Sequence, residues 1–283
     1  MTASLGRADL HIHTLASDGT DGIATILDRA ERATELDVIA ITDHERIDAA
    51  LAARTMAREQ GLRVEVVVGE EVSTLGGHLL GLFITERIRP LRTLRTTIAE
   101  IHEQGGLAIP AHPLVPYPLC AQGWVIRRLL ADRDPRVRPD AIEAFNPTMF
   151  GRPWHGRVVR FAAEHGLATV GNSDAHEAEA VGTGWTTFPG RTADDLRAAI
   201  LGHETRHHGS FHGTSGQVGT FGRQLRKYSR DARAVVRARV LRDGPGRDLG
   251  YPVDGGRPAR LDVEWAPIRP VDDPPTPVED ERR

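Results

Sequence analysis

Nine side chains with metal-binding chemistry recur along the 283-residue chain, each at or just past the end of a short apolar run. They are His11 and His13 in ADLHIHT, Asp18 in SDG, His44 in ITDH, Glu71 in GEEVS, His78 in GGHLLGLF, His112 in IPAHP, and Asp174 with His176 in GNSDAH. Mixed imidazole and carboxylate donors suit Zn, Mn or Fe, and nine are too many for one ion. Two or three divalent ions are the expected cofactors. His11 and His13 stand two apart on an expected strand, which sends both rings to one face, and Asp174 with His176 repeats that spacing. Glu71 follows the run VEVVV, which should be buried, so its carboxylate needs partners; bridging two cations would supply them. Its neighbour Glu70 should point the other way, toward the surface or to a supporting position. Taken singly each residue has a plainer reading: Asp18 as a solvated Asp–Gly turn, His78 and His112 as packed loop histidines. The repetition of the pattern outweighs those readings.

The elements that must position these groups alternate. Short β-type runs at 8–13, 38–43, 63–72, 78–84, 107–111, 141–145 and 168–172 are separated by helical patterns at 22–36, 47–61, 91–104, 123–131 and 154–166. A further helix is expected over 192–202, with Thr192 as N-cap and Asp195 completing a capping box. Glycines at 61, 105, 166 and 202 mark helix ends. Strand–helix alternation implies parallel pairing with right-handed crossovers. Seven strands predict an α/β fold of the distorted (β/α)7, TIM-like barrel kind, with functional groups at the carboxyl ends of the strands.

That barrel is expected over residues 1–206. A glycine-rich linker, 207–222, should follow, then a basic helix at 223–242 within a packed extension reaching 269, and a disordered tail at 270–283 rich in proline and charge. The 223–242 segment holds eight Arg or Lys and one acid, with Leu225, Tyr228, Ala232, Val235, Val236 and Val240 at helical spacing. Nucleic-acid binding through this helix is an open alternative, weakened by its single aromatic residue. A formal net charge of −3 and ordinary hydrophobic (40%) and charged (27%) content carry no global footprint for nucleic acid or anionic membrane. One cysteine, Cys120, leaves no internal disulfide, and no basic segment precedes a long apolar run near residue 1. A cytoplasmic protein without a membrane partner is expected; oligomeric state is not readable.

In order, the motifs H-x-H, S-D-G, T-D-H, G-x-E-x-S, a following His, A-H-P and S-D-A-H resemble those of the PHP (polymerase and histidinol phosphatase) superfamily. The resemblance spans residues 8–176 and is closer to compact stand-alone phosphoesterases than to polymerase-linked domains. It implies a trinuclear centre: His11, His13, Glu71 and Asp174 around one ion, Glu71 bridging to a second with His78 and His112, and Asp18, His44 and His176 holding a third. It also implies hydrolysis of a small phosphorylated substrate by a metal-bound water, with Glu71, His112 and Asp174 shaping the site. A nucleotide or nucleoside 3′,5′-bisphosphate is the favoured substrate. The alternatives are a histidinol-phosphate-type phosphatase, an oligonucleotide exonuclease and an amidohydrolase-like acyl esterase. Asp9 and Asp43, each next to a ligand histidine, are expected to orient imidazoles. Asn146, Arg152 and His155 are candidate substrate contacts, since Arg suits bidentate phosphate recognition.

Overall fold

A computed structural model describes residues 4–147 and 152–211. The linker expected over 207–222 begins within the described residues, where 206–209 form a strand instead; the rest of it, the basic helix and the tail lie outside them. Nine strands and six helices make up the described chain: β1 (Leu5–Ile12), α1 (Ile23–Ala33), β2 (Val38–Ile41), α2 (Asp48–Glu59), β3 (Glu65–Thr74), β4 (Gly77–Leu82), α3 (Leu94–Glu103), β5 (Leu107–Pro110), α4 (Gly123–Leu130), β6 (Ala141–Phe145), α5 (His155–His165), β7 (Ala168–Gly171), β8 (Gly184–Pro189), α6 (Ala193–Leu201) and β9 (Arg206–Gly209). No helix among them is long and apolar enough to cross a membrane.

The architecture is mixed α/β, a curled sheet clothed by helices, but not the all-parallel (β/α)7 barrel that the alternation implied. Seven strands form one sheet in the order β5-β4-β3-β2-β1-β8-β9, and β6 pairs with β7 in a second. β1–β2, β2–β3 and β6–β7 are parallel, whereas β3–β4, β4–β5, β1–β8 and β8–β9 are antiparallel. The departure has a local cause at β3–β4. Only Leu75 and Gly76 join these strands, and so short a link can close only a hairpin. Gly77 carries φ 128° with the Ala121 backbone packed where a Cβ would sit, so a side chain there would be both strained and crowded. β8 and β9 were not anticipated. The signal for β8 was present in GWTTFP, whose residues alternate between buried and half-buried.

The two sheets meet through side chains and loop backbone. The Asp140 N–H, just before β6, donates to Ala108 O of β5 (3.0 Å), and the Thr186 hydroxyl of β8 donates to Gly171 O of β7 (3.0 Å). At the carboxyl end the segment after β7 pairs directly with β1: the Ala175 N–H donates to His11 O (3.2 Å), and the His13 N–H donates to Ala175 O (2.8 Å).

Strand alternation divides the core in two. Ile39 and Ile41 of β2 pack outward with Val66 and Val68 of β3 against Ile26 and Leu27 of α1, Ala53 of α2, Ile98 of α3, Ile126 of α4 and Phe161 of α5. Ala8, Leu10, Val38, Ala40, Val67, Leu80, Leu82, Ile109 and Val170 form an inner cluster that Leu196, Ala199 and Ile200 of α6 join. The helix α6 thus belongs to the interior and closes the amino end of the curl. Its expected capping box is present: Thr192 accepts the Asp195 N–H, and Asp195 accepts the Thr192 N–H. Gly166 ends α5 in the left-handed region at φ 62°, as expected of a helix-terminating glycine.

Candidate metal centre

The opposite, carboxyl end is where the inner face turns polar. The β1–β2 register shifts between Asp9 and Ile12, so the strand bulges just where Leu10 gives way to His11. A second shift, between Glu143 and Phe145 on β6, lies across the site. His112 and Asp174 hold φ of 31° and 50°, a left-handed backbone that non-glycine residues adopt at a cost. Strain of this kind concentrates where a side chain must be aimed, and both residues aim at one place.

All nine sequence-derived candidates converge there and are buried or nearly so. Glu71 is central. Its Oε2 lies 3.2 Å from His11 Nε2, 3.3 Å from His13 Nε2 and 3.3 Å from His44 Nε2, while Oε1 lies 2.7 Å from His78 Nδ1 and 3.0 Å from His112 Nε2. Asp174 Oδ1 faces His11 Nε2 and His13 Nε2, each at 3.4 Å. Asp18 sets Oδ2 at 3.4 Å from His176 Nε2 and 3.7 Å from His44 Nε2, with Oδ1 at 3.5 Å from His13 Nδ1. Three groups bring ligand atoms within 4.8 Å of one another: His13 with Asp18, His44 and His176; His11 with His13 and Asp174; and His44 with Glu71 and His78. The first includes His13 as well as the three residues that the family resemblance allots to one ion.

Five buried atoms here, His11 Nε2, His13 Nε2, Asp18 Oδ2, Asp174 Oδ1 and His176 Nε2, make no hydrogen bond. Leaving each unsatisfied costs about 1–3 kcal/mol. Five in one pocket is the signature of groups arranged for a cation. Burial alone would push the carboxylates up and the imidazoles down, but the surrounding histidines and acids override it. Glu71 and Asp18 stay well below the usual carboxylate range, chiefly through His44, and Asp174 is lowered chiefly through His11. Asp174, Glu71 and Glu143 hold His11 well above its ordinary value, and His13 rises to about 9. Without a cation, then, His11 and His13 favour their protonated forms.

The sequence reading missed Glu143. It is buried on β6, accepts hydrogen bonds from His11 Nδ1–H (3.0 Å) and the His112 backbone N–H (2.6 Å), and is held by the amides of Asn146 (3.0 Å) and Asn172 (2.8 Å). By fixing the His11 proton on Nδ1 it turns the Nε2 lone pair toward Glu71 and Asp174. Its signal was a lone acid inside the apolar strand AIEAF, which should be buried and must therefore be paired. The His176 proton is fixed likewise, Nδ1–H donating to Asp174 O at 2.9 Å.

The imidazole-orienting role expected of Asp9 and Asp43 falls instead to Glu143. Asp9 accepts the N–H groups of Ser173 (3.0 Å) and Gly182 (2.9 Å), pinning the loop that carries Asp174. Asp43 accepts the Thr14 N–H (2.8 Å), the Thr14 hydroxyl (2.7 Å) and the Ser17 hydroxyl, bracing the turn that presents Asp18. Glu70 is fully buried rather than superficial; it accepts the Ile88 N–H (2.8 Å), and burial raises its pKa to about 8. Of the three candidate substrate contacts, only Asn146 reaches the cluster, with its amide 3.1 Å from Asp174 Oδ2. Arg152 lies over the Phe211 ring at 5.7 Å, and His155 Nδ1–H donates to Ala144 O at 2.8 Å; neither touches the cluster among the described residues.

A PHP-associated family model matches residues 152–205. The uncharacterized protein MJ1587 of Methanocaldococcus jannaschii is 36% identical over 151 residues, covering 50% of this chain and 81% of that protein. The 5′-3′ exoribonuclease Rnm of Salmonella typhimurium is 39% identical over 80 residues, 27% of each chain. In fold, the chain is similar to a two-domain protein from Bacteroides vulgatus containing a predicted PHP-like metal-dependent phosphoesterase, with TM-score 0.60 and 17% identity over 73% of this chain and 65% of that one. The chain belongs to the PHP superfamily.

Proposed function

We propose that this protein hydrolyses phosphate esters of nucleotides using two or three divalent cations, Mn, Zn or Fe, held by His11, His13, Asp18, His44, Glu71, His78, His112, Asp174 and His176. The disposition of Glu71 carries the reading. One carboxylate oxygen faces three imidazoles and the other faces two more, which suits a carboxylate shared between neighbouring cations. Bound ions would supply an activated water and neutralise charge on the phosphoryl oxygens.

The chain's own residues prepare that chemistry. Glu143 and the Asp174 carbonyl hold protons on the Nδ1 atoms of His11 and His176, so both rings present Nε2 lone pairs inward. Asn146 donates to Asp174 Oδ2, which leaves Oδ1 directed at His11 and His13. Thr14, Ser17 and Asp43 fix the turn behind Asp18. Ligands pinned this way need little rearrangement when an anionic ester binds.

A nucleoside 3′,5′-bisphosphate is the favoured small substrate. The partial likeness to an exoribonuclease supports a nucleotide leaving group and keeps short strands as the second reading. Phosphate release should be measured on nucleoside bisphosphates, nucleoside monophosphates and histidinol phosphate, with Mn-loaded and chelator-treated protein. Release from a nucleotide that vanishes on chelation is expected. Release that persists without metal, or confined to histidinol phosphate, overturns the reading.

A further inference from the structure

Beside the loop that carries His112 lies a concave groove of about 240 Å³ between α4 and α5, lined by Leu114, Gln122, Trp124, Arg127, Arg157 and Arg160, with Phe161 at its wall and Glu164 at its far end. Sequence reading did not single it out. Three guanidinium groups face one carboxylate, and none of the three is ion-paired among the described residues. Two are instead fixed by aromatic faces: Arg127 lies over Phe161 at 5.7 Å and Arg157 over Trp154 at 5.4 Å. Stacking holds a guanidinium plane while leaving its N–H edge free, the arrangement that suits a phosphate. Arg157, Arg160 and Glu164 follow one another along α5 at spacings of three and four, so the cationic end is the one nearer the helix N-terminus and the carboxyl ends of the strands.

Trp124 supplies the second element. The residue is 64% exposed at the start of α4, the highest of four exposed large apolar residues among the described residues. The Gln122 amide donates to Val115 O (2.6 Å) and Cys120 O (3.0 Å), locking the groove's mouth to the loop running from His112. A volume of 240 Å³ is small against the roughly 300–1,000 Å³ of sites that engulf a whole ligand. It suits one base and one phosphate of a longer molecule whose reacting ester lies elsewhere.

We propose that the α4–α5 groove holds the nucleotide unit next to the one being hydrolysed, its base stacked on Trp124 and its phosphate on Arg157 and Arg160. This rests on the nucleotide-phosphoesterase reading above and deepens it: the substrate class becomes a short single strand, and the groove sets its preference over a mononucleotide. Stacking with backbone cations is the usual recognition of single strands, and it tolerates any base sequence.

The test separates binding from turnover. Anisotropy of a fluorescein-labelled tetranucleotide with hydrolysis-resistant phosphorothioate linkages would be followed on the metal-loaded protein, on Trp124→Ala and on Arg157→Ala/Arg160→Ala. Roughly tenfold weaker binding is expected for Trp124→Ala, and a shallower salt dependence for the double variant. An abasic probe of equal charge should bind the wild type several-fold more weakly, and both variants should retain wild-type hydrolysis of bis-p-nitrophenyl phosphate. Unchanged probe affinity in both variants, or equal affinity for the abasic probe, overturns the groove assignment whatever the enzyme hydrolyses. Variant-sensitive probe binding by a protein that releases no phosphate from any ester would instead uphold the groove and sink the catalytic reading.

Discussion

The two ends of the curled sheet are built from the same strands and solve opposite problems. At the amino end Leu196, Ala199 and Ile200 of α6 close the interior against Phe188 and Leu10, all buried and apolar, and the helix start satisfies its own backbone with Thr192 and Asp195. At the carboxyl end equally buried positions carry carboxylates and imidazoles, and five of their polar atoms make no hydrogen bond. One end is satisfied and holds the fold together. The other is left wanting a cation, supported from behind by Glu143, Asp9 and Asp43, and holds the chemistry. Stability and function are thereby separated along a single barrel-like axis.

That separation can be broken from either side, and the largest expected effect is at the site. Asp174→Ala removes a carboxylate that faces His11 and His13, and phosphoesterase turnover should fall to background while the thermal unfolding midpoint of the metal-free protein stays within a few degrees. Near-normal turnover would contradict the assignment. At the other end, Leu196→Ala deletes buried methyl groups and should cost about 2–5 kcal/mol in urea unfolding, with metal content and activity per folded molecule unchanged. A matching loss of metal would mean that the two ends are coupled. Glu143→Gln probes the support behind the site: a 10–100-fold drop in metal affinity or activity is expected, because the amide can no longer hold the His11 proton as an anion does.

The smallest effect is on pH. In the metal-free protein burial opposes charging of His13, yet Asp174, Glu71 and Asp18 raise its pKa to about 9, above the 6.5 of the unfolded chain. This group therefore contributes stability that is complete below pH 6.5 and is lost as pH rises through 9. Asp18 and Glu71, lowered in the fold, contribute stability above their unfolded values that is lost on acidification. Cations displace the imidazole protons, so titration calorimetry in buffers of different ionisation heat should find proton release on Mn uptake at pH 7 that fades above pH 9. Release independent of pH would show that His13 lies outside the metal cluster.

How far these ends could be foreseen differs by residue. His11, His13, Glu71, Asp174 and His176 were legible because each breaks the apolar character of its strand end, and the period-two spacing places partners on one face. The alternation of short β runs and amphipathic helices likewise established an α/β chain, and Thr192 with Asp195 marked the start of α6 from local chemistry alone. Pairing direction was not legible: strand–helix alternation implied parallel pairing throughout, and the helix-free link between the third and fourth strands was not read as a hairpin. Glu143 escaped because a lone acid in a strand reveals its importance only by what it touches, and Asn172 and Asn146 reach it from other segments. The roles of Asp9 and Asp43 were misjudged for the same reason: nearness in sequence to a histidine does not reveal the backbone N–H groups that the fold brings to a carboxylate.

By itself the sequence carried the candidate metal ligands, the α/β character and the family likeness, because residue type and short-range periodicity are properties of neighbours along the chain. Tertiary structure alone decided that Glu71 splits its two oxygens between two sets of imidazoles, that Glu143 rather than a neighbouring aspartate orients His11, and that Trp124 and three arginines share a groove beside the site. Those are relations between residues tens of positions apart, set by strand register, by two bulges and by which face of each helix finds the core, and no local signal encodes them.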